Sequence, residues 1–235
     1  MGRRRFPETW TVSLGAFSLE LKRTETGHLG IFPEQAENWR WLYARTAQWL
    51  KTGRPLRVLN LFAYTGGSTL AVAAAMQAAG ITSEQREKYV VAHVDSAKNV
   101  VQWARRNATI SGLEDAPIRW LAEDAGTFVR RELKRGKTYD AVILDPPAYG
   151  HGTRGEVWRF GENLPGLLDD CAKLLNHDSG AAWGLLTCHS AEESERTLGE
   201  MLRRRIAGKL ETFPMELVTQ DGRRLDSGLS ARVFS

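Results

Sequence analysis

Four short stretches of this chain place polar residues where they could do chemistry. Asn60-Leu61-Phe62-Ala63-Tyr64-Thr65-Gly66-Gly67-Ser68 carries a glycine pair, and glycines at a turn let backbone approach a ligand closely. Asp95-Ser96, Glu123-Asp124 and Asp145-Pro146-Pro147-Ala148-Tyr149 each put a carboxylate just after an apolar run. Asp95 could accept hydrogen bonds from both hydroxyls of a ribose, and Asp124 from the amino group of an adenine. The paired prolines stiffen their stretch and remove backbone donors, so their carbonyls can face a ligand while Tyr149 stacks on a planar base. Each feature has a plainer alternative. The glycine pair could be an ordinary tight turn, Asp95 and Asp124 could be helix N-caps, and Tyr149 could pack into a stiff loop.

Strand ends are needed to hold such residues together. Apolar runs at 58–62, 90–94, 118–121 and 139–144 predict strands, and each is followed by residues at helical spacing. The helices are predicted at 70–79, 97–111, from 125 onward, and at 164–175. A strand at 182–186, a helix at 194–206 and strands near 215–218 and 229–234 complete the pattern, with 221–225 as a connecting loop. Strands alternating with helices predict a Rossmann-like α/β fold, a doubly wound and mostly parallel seven-stranded sheet. Ligands of such sheets bind outside the carboxyl ends of the strands, where the acids fall. Ahead of this, 9–21 alternates polar and apolar residues around Gly15 and predicts a hairpin. Pro33 can open a helix carrying Trp39, Leu42, Tyr43, Ala47 and Leu50 on one face. The expected division is an N-terminal extension over 1–52, covering the ligand site, and the main α/β domain over 53–235.

The composition is that of a globular chain: 235 residues, 42% hydrophobic and 26% charged. Its net charge of +4 leans mildly toward anionic partners. Cys171 and Cys188 form no CxxC pair and no disulfide framework, which suits a reducing, cytoplasmic setting. No apolar run reaches membrane-spanning length, and the basic start Met1-Gly2-Arg3-Arg4-Arg5 leads into no signal-peptide core. Neither a membrane nor a metal is expected as a partner.

The glycine turn departs from G-x-G-x-x-G, which disfavours a dinucleotide. An uncharged turn followed by acids at the next two strand ends suits an adenosine without phosphate, and S-adenosylmethionine is such a molecule. Together the four stretches resemble the successive motifs of class I S-adenosylmethionine-dependent methyltransferases. The similarity is greatest to the bacterial large-subunit ribosomal RNA cytosine-5 methyltransferases and runs from about Gly27 to the C-terminus. It implies cofactor contacts by Asn60, Phe62, Tyr64, Thr65, Gly66, Gly67, Ser68, Asp95, Ser96, Asp124 and Asp145. Gly30-Ile31-Phe32-Pro33-Glu34-Gln35 resembles the segment over the methionine end of the cofactor, which adds Phe32 and Gln35. Asp145, Pro146 and Tyr149 are implied as the residues that position the methyl acceptor.

The resemblance also implies a base in RNA, ribosomal RNA first, as substrate. The characterised members carry an N-terminal RNA-binding PUA domain, for which no room is expected here. Cytosine-5 transfer needs a cysteine thiolate, and Cys188 in Leu186-Thr187-Cys188-His189-Ser190 is the candidate; a small apolar strand-end filler is the alternative. His189 is poorly placed as its base, because neighbours in a strand point to opposite faces. Cys171 belongs to the core. The loop 150–160 holds His151, Arg154, Trp158 and Arg159, a mixture suited to a nucleic-acid strand or to a solvated loop over a packed tryptophan. Arg203-Arg204-Arg205 with Lys209 is expected on a solvated helix face. The competing readings are a methyltransferase for a small molecule or protein, a nucleotide-binding oxidoreductase, and a cofactor-binding domain without catalysis.

Overall fold

The computed structural model describes residues 7–25, 27–151, 157–176, 181–190 and 192–234. β1 (Thr9–Ser13) and β2 (Ser18–Lys22) form the antiparallel hairpin, and α1 (Ala36–Leu50) follows a 3-10 turn at Pro33–Gln35. The βα alternation then runs β3 (Leu56–Leu61), α2 (Gly67–Ala78), β4 (Tyr89–Asp95), α3 (Lys98–Ile110), β5 (Ile118–Ala122), α4 (Ala125–Lys134) and β6 (Ala141–Leu144). A small hairpin, β7 (Tyr149–His151) with β8 (Val157–Arg159), leads into α5 (Phe160–Leu174). β9 (Trp183–Cys188), α6 (Glu195–Arg203), β10 (Lys209–Val218) and β11 (Arg224–Phe234) close the chain.

The central sheet has seven strands in the order β10-β11-β9-β6-β3-β4-β5. β3, β4, β5, β6 and β9 are mutually parallel, and β11 runs antiparallel to both β9 and β10. β3 has β4 on one side and β6 on the other, so the winding direction reverses there and a crevice opens at the strands' carboxyl ends. β6 and β9 are buried along their whole length, as parallel strands covered on both faces must be.

Helices cover both faces. On one side Phe128, Leu164, Leu168 and Leu198 from α4, α5 and α6 pack with Leu59, Val142 and Leu186. On the other side the alanine-rich α2 lies between the sheet and α1, with Leu42, Trp49, Leu70, Met76 and Trp183 in one cluster. Phe17, Leu19 and Leu21 of the hairpin join that cluster. Each such fully buried large side chain contributes about 1.5–3 kcal/mol relative to exposure.

Several elements differ from the sequence expectation. β10 and β11 are ten and eleven residues long, well beyond the apolar runs that announced them, because their outer halves pair with each other over polar residues. α5 begins at Phe160, about a turn before the expected start, and carries Pro165 inside it. The segment expected as a loop after Asp145 holds the β7–β8 hairpin. Arg154, the side chain of His151 and the basic start Met1–Arg5 lie outside the described residues. Among the described residues no helix is long and apolar enough to cross a membrane.

Candidate functional site

The turn after β3 is held in a conformation that costs energy. Phe62 and Tyr64 both have positive φ, 56° and 48°, which non-glycine residues rarely adopt. Such residues cost of order 1–3 kcal/mol each and persist only where surroundings over-determine them. Here Ala63 N–H donates to the Val94 carbonyl at 3.1 Å, and Tyr64 N–H donates to Asp95 Oδ2 at 2.9 Å. The Thr65 hydroxyl donates to the Gly30 carbonyl at 2.8 Å, and Asn107 Nδ2 donates to the Thr65 carbonyl at 2.9 Å. Gly66, with φ +98°, caps α2, and a Cβ on Gly67 would lie 2.6 Å from the Trp39 ring. The glycine pair therefore serves a left-handed cap and a close approach of α1, in that order along the chain.

Asp95 ends β4 with both oxygens engaged: Oδ2 by Tyr64 N–H and Oδ1 by Ala97 N–H at 3.0 Å. Each carboxylate oxygen keeps a further lone pair, enough for a vicinal diol. Burial raises the Asp95 pKa, opposed by those two backbone bonds. Asp124 is the N-cap of α4, accepting from Thr127 N–H at 2.8 Å. Both acids also line a cleft of about 560 Å³, together with Phe62, Ser96, Pro147 and Trp158. The cap and ligand alternatives for these acids are thus compatible in one geometry. Asp95, Glu123, Asp124, Glu162 and Asp170 line this cleft against a single cation among the described residues, Arg130; a cleft of this size fits an adenosine, whereas a pyrophosphate would meet mostly negative charge there.

A narrower crevice of about 30 Å³ adjoins the cleft at Phe62. Phe32, Gln35, Asn60, Tyr64, Thr65, Gly66, Gly67, Ser68 and Asp145 line it. Phe32 packs against Tyr64 with ring centroids 5.3 Å apart. The Asn60 amide turns into the core, donating to Thr69 Oγ1 at 2.8 Å, and Thr69 contacts His93 Nδ1 at 2.9 Å. Burial lowers the His93 pKa to about 3, so that ring is neutral at ordinary pH.

Asp145 is the junction of the site. Oδ2 accepts from Gln35 Nε2 at 3.1 Å; Oδ1 accepts from the Thr187 hydroxyl and faces His189 Nε2 at 3.3 Å. The other His189 nitrogen, Nδ1, contacts the Ser227 carbonyl at 3.0 Å and lies 4.0 Å from Glu34. Both ring nitrogens face oxygen acceptors, which suits the doubly protonated ring. The Asp145 hydrogen bond raises the His189 pKa against the effect of burial. Behind Gln35 the network continues. Asn38 Nδ2 donates to Gln35 Oε1 at 2.7 Å, and Asn38 Oδ1 accepts from Arg232 at 2.7 Å and from the Ser230 hydroxyl at 2.9 Å.

Pro146 is buried and Tyr149 is 56% exposed, so Tyr149 stands on an open face rather than in a packed loop. Tyr149 pairs directly with Arg159 across the β7–β8 hairpin. The Pro147 carbonyl accepts from the Trp158 indole at 2.8 Å, and Trp158 packs on Phe62 with centroids 5.0 Å apart. This carbonyl, expected to face a ligand, thus already holds one donor and keeps a second lone pair. Cys188 is fully buried, burial raises its pKa, and its Sγ accepts from Ser190 N–H at 3.3 Å. Sequence reasoning missed the parts played by His189, Thr187, Asn38 and Arg232. His189 carried a usable signal, since it follows a parallel strand end adjacent to that of Asp145; Asn38 and Arg232 carried none. Among the described residues no group of three or more His, Cys, Asp or Glu could hold a metal.

A crystal structure of an S-adenosylmethionine-dependent methyltransferase from Agrobacterium tumefaciens is 36% identical, with a TM-score of 0.85 over 99% of this chain and 72% of that one. This chain belongs to the S-adenosylmethionine-dependent methyltransferases, an assignment that removes the oxidoreductase alternative. Ribosomal RNA large subunit methyltransferase I of Tolumonas auensis is 30% identical over 146 residues, 62% of this chain and 30% of that protein. Ribosomal RNA large subunit methyltransferase K of Neisseria meningitidis is 25% identical over 129 residues, 54% of this chain and 33% of that protein. The matches thus span about a third of the length of these curated relatives. No family model matches the chain.

Proposed function

We propose that this enzyme transfers a methyl group from S-adenosylmethionine to a base in RNA, ribosomal RNA first among candidates. Asp95 and Ser96 would hold the ribose and Asp124 the adenine amino group. The 62–68 turn, Phe32 and Gln35 would surround the methionine end, with the start of α2, which no side chain caps, offering backbone donors to its carboxylate. Bound there, the cofactor supplies an electrophilic methyl group. The protein's own work is alignment: Asp145, oriented by Gln35, Thr187 and His189, would fix the acceptor, Pro146 would stiffen the turn, and Tyr149 would stack on the base. Residues 1–52 would act as the covering segment and 53–235 as the catalytic domain.

The observation that carries the RNA reading is the acceptor side itself. Tyr149 and Arg159 stand opposite each other on an exposed hairpin, a ring and a surface cation paired, among the described residues, only with the equally exposed Glu162, facing a large substrate rather than a closed apolar pocket. The relatives named as ribosomal RNA methyltransferases support the same class. The test is incubation with labelled cofactor and RNA from cells that lack this protein. Label in one RNA position supports the reading; label only in protein or small molecules overturns it.

A further inference from the structure

The opposite pole of the sheet carries a second cavity, of about 650 Å³, at the amino ends of the parallel strands. It runs along β5, one of the two edge strands of the sheet. Four arginines line it: Arg57 from β3, Arg86 beside the turn before β4, Arg105 from α3 and Arg119 from β5. No lysine does, and Glu114 is the one carboxylate among the lining residues. Arg119 is paired with Glu132 at 3.3 Å. The other three have no carboxylate within ion-pairing distance among the described residues. Arg57 donates to the Thr138 and Glu87 carbonyls, and Arg86 donates to the Ser83 carbonyl. Arg105 lies close enough to the buried His93 to oppose its protonation, second to the effect of burial.

Three of these guanidinium groups have no carboxylate partner among the described residues, which leaves net positive potential along the cavity that a bound anion would relieve. Their planar forks match a phosphate better than any other basic side chain. Trp120 and the buried Tyr139 also line it, from opposite faces of the sheet. We propose that this cavity is a second contact for RNA, holding backbone phosphates of the same strand whose base reaches Tyr149. The inference rests on the RNA reading above and extends it to a defined surface. The six residues of β3 set the two poles roughly 20 Å apart at 3.3 Å per residue. A single nucleotide cannot touch both, whereas a strand of several can.

The test measures binding of the full chain to a labelled single-stranded ribosomal RNA fragment over a salt series. Arg86→Gln with Arg105→Gln should lower the slope of log affinity against log salt by about 1.4, or about 0.7 for each phosphate no longer neutralised. S-adenosylmethionine affinity should stay unchanged, which also reports that the variant is folded. Arg86→Lys with Arg105→Lys should restore most of the slope. Arg203→Gln with Arg204→Gln, matched in charge but at the end of α6, should leave it intact. Inorganic pyrophosphate should compete with RNA for the wild type. A wild-type slope in the double Gln variant, or an equal fall in the α6 control, overturns the proposal while the RNA reading stands. Pyrophosphate bound through these arginines, with RNA binding indifferent to them, assigns the cavity to a free phosphate compound and overturns it too. Absence of RNA binding by the wild type at every salt concentration overturns both.

Discussion

The Gln35 side-chain amide donates to Asp145 Oδ2 at 3.1 Å, joining residues 110 positions apart. The direction of this bond is set from behind, because Asn38 Nδ2 occupies Gln35 Oε1, and Arg232 with Ser230 occupies Asn38 Oδ1. A buried arginine on the antiparallel end of the sheet thereby fixes the orientation of a carboxylate at the end of β6.

Gln35→Met keeps the volume and removes the donor. A hydrogen bond to a charged group contributes about 1.5–3 kcal/mol, so methyl transfer should slow by roughly 10- to 100-fold. Single-turnover rates beside cofactor affinity decide it. An unchanged rate would show that Asp145 needs no help from Gln35.

Asp95→Ala should weaken cofactor binding by about 1–3 kcal/mol, the cost of unpaired hydroxyls. It should also lower the melting temperature, because Asp95 accepts from Ala97 N–H at the start of α3 and from Tyr64 N–H in the strained turn. Calorimetry reads both. Normal binding with a lower melting point would reduce Asp95 to a cap. Burial raises the Asp95 pKa, so cofactor affinity in the wild type should fall on acidification at a higher pH than an ordinary carboxylate would give.

His189 should titrate above the ordinary histidine value of 6.5, and Asp145→Asn should lower its pKa, as followed by NMR of the ring protons. The sign for stability follows from the raised pKa. The stabilisation from protonated His189 is fully present below the unfolded value and is lost as pH rises through the folded one. Melting curves of wild type and His189→Gln should therefore differ most in acid and converge in alkali. A difference that grows with pH would contradict the assignment.

Cys188→Ala should leave turnover nearly intact. The thiol is buried, its pKa is raised by burial, and His189 is engaged by Asp145 and the Ser227 carbonyl instead. A packing loss of about 1 kcal/mol is expected from the small cavity. A dead enzyme with normal cofactor affinity and a normal melting curve would make C5 of a pyrimidine, cytosine first, the favoured target, because transfer to that carbon demands a thiolate at C6.

The sequence by itself determined the alternation of strands and helices, the hairpin before them, and the placement of Asp95, Asp124 and Asp145 at successive strand ends. These are legible because hydrophobic period and turn chemistry are properties of neighbouring residues. It also marked Gly66 and Gly67, though not why each is glycine. For Gly67 that reason lies in Trp39 of α1, which packs where its Cβ would stand. Only the tertiary structure decided that Asp145 meets Gln35, Thr187 and His189, that Trp158 donates to the Pro147 carbonyl, and that arginines from separate elements share one cavity. Most of these partners lie tens of residues apart. No local pattern announces such a contact, because strand order and helix packing, rather than neighbouring residues, bring its two sides together.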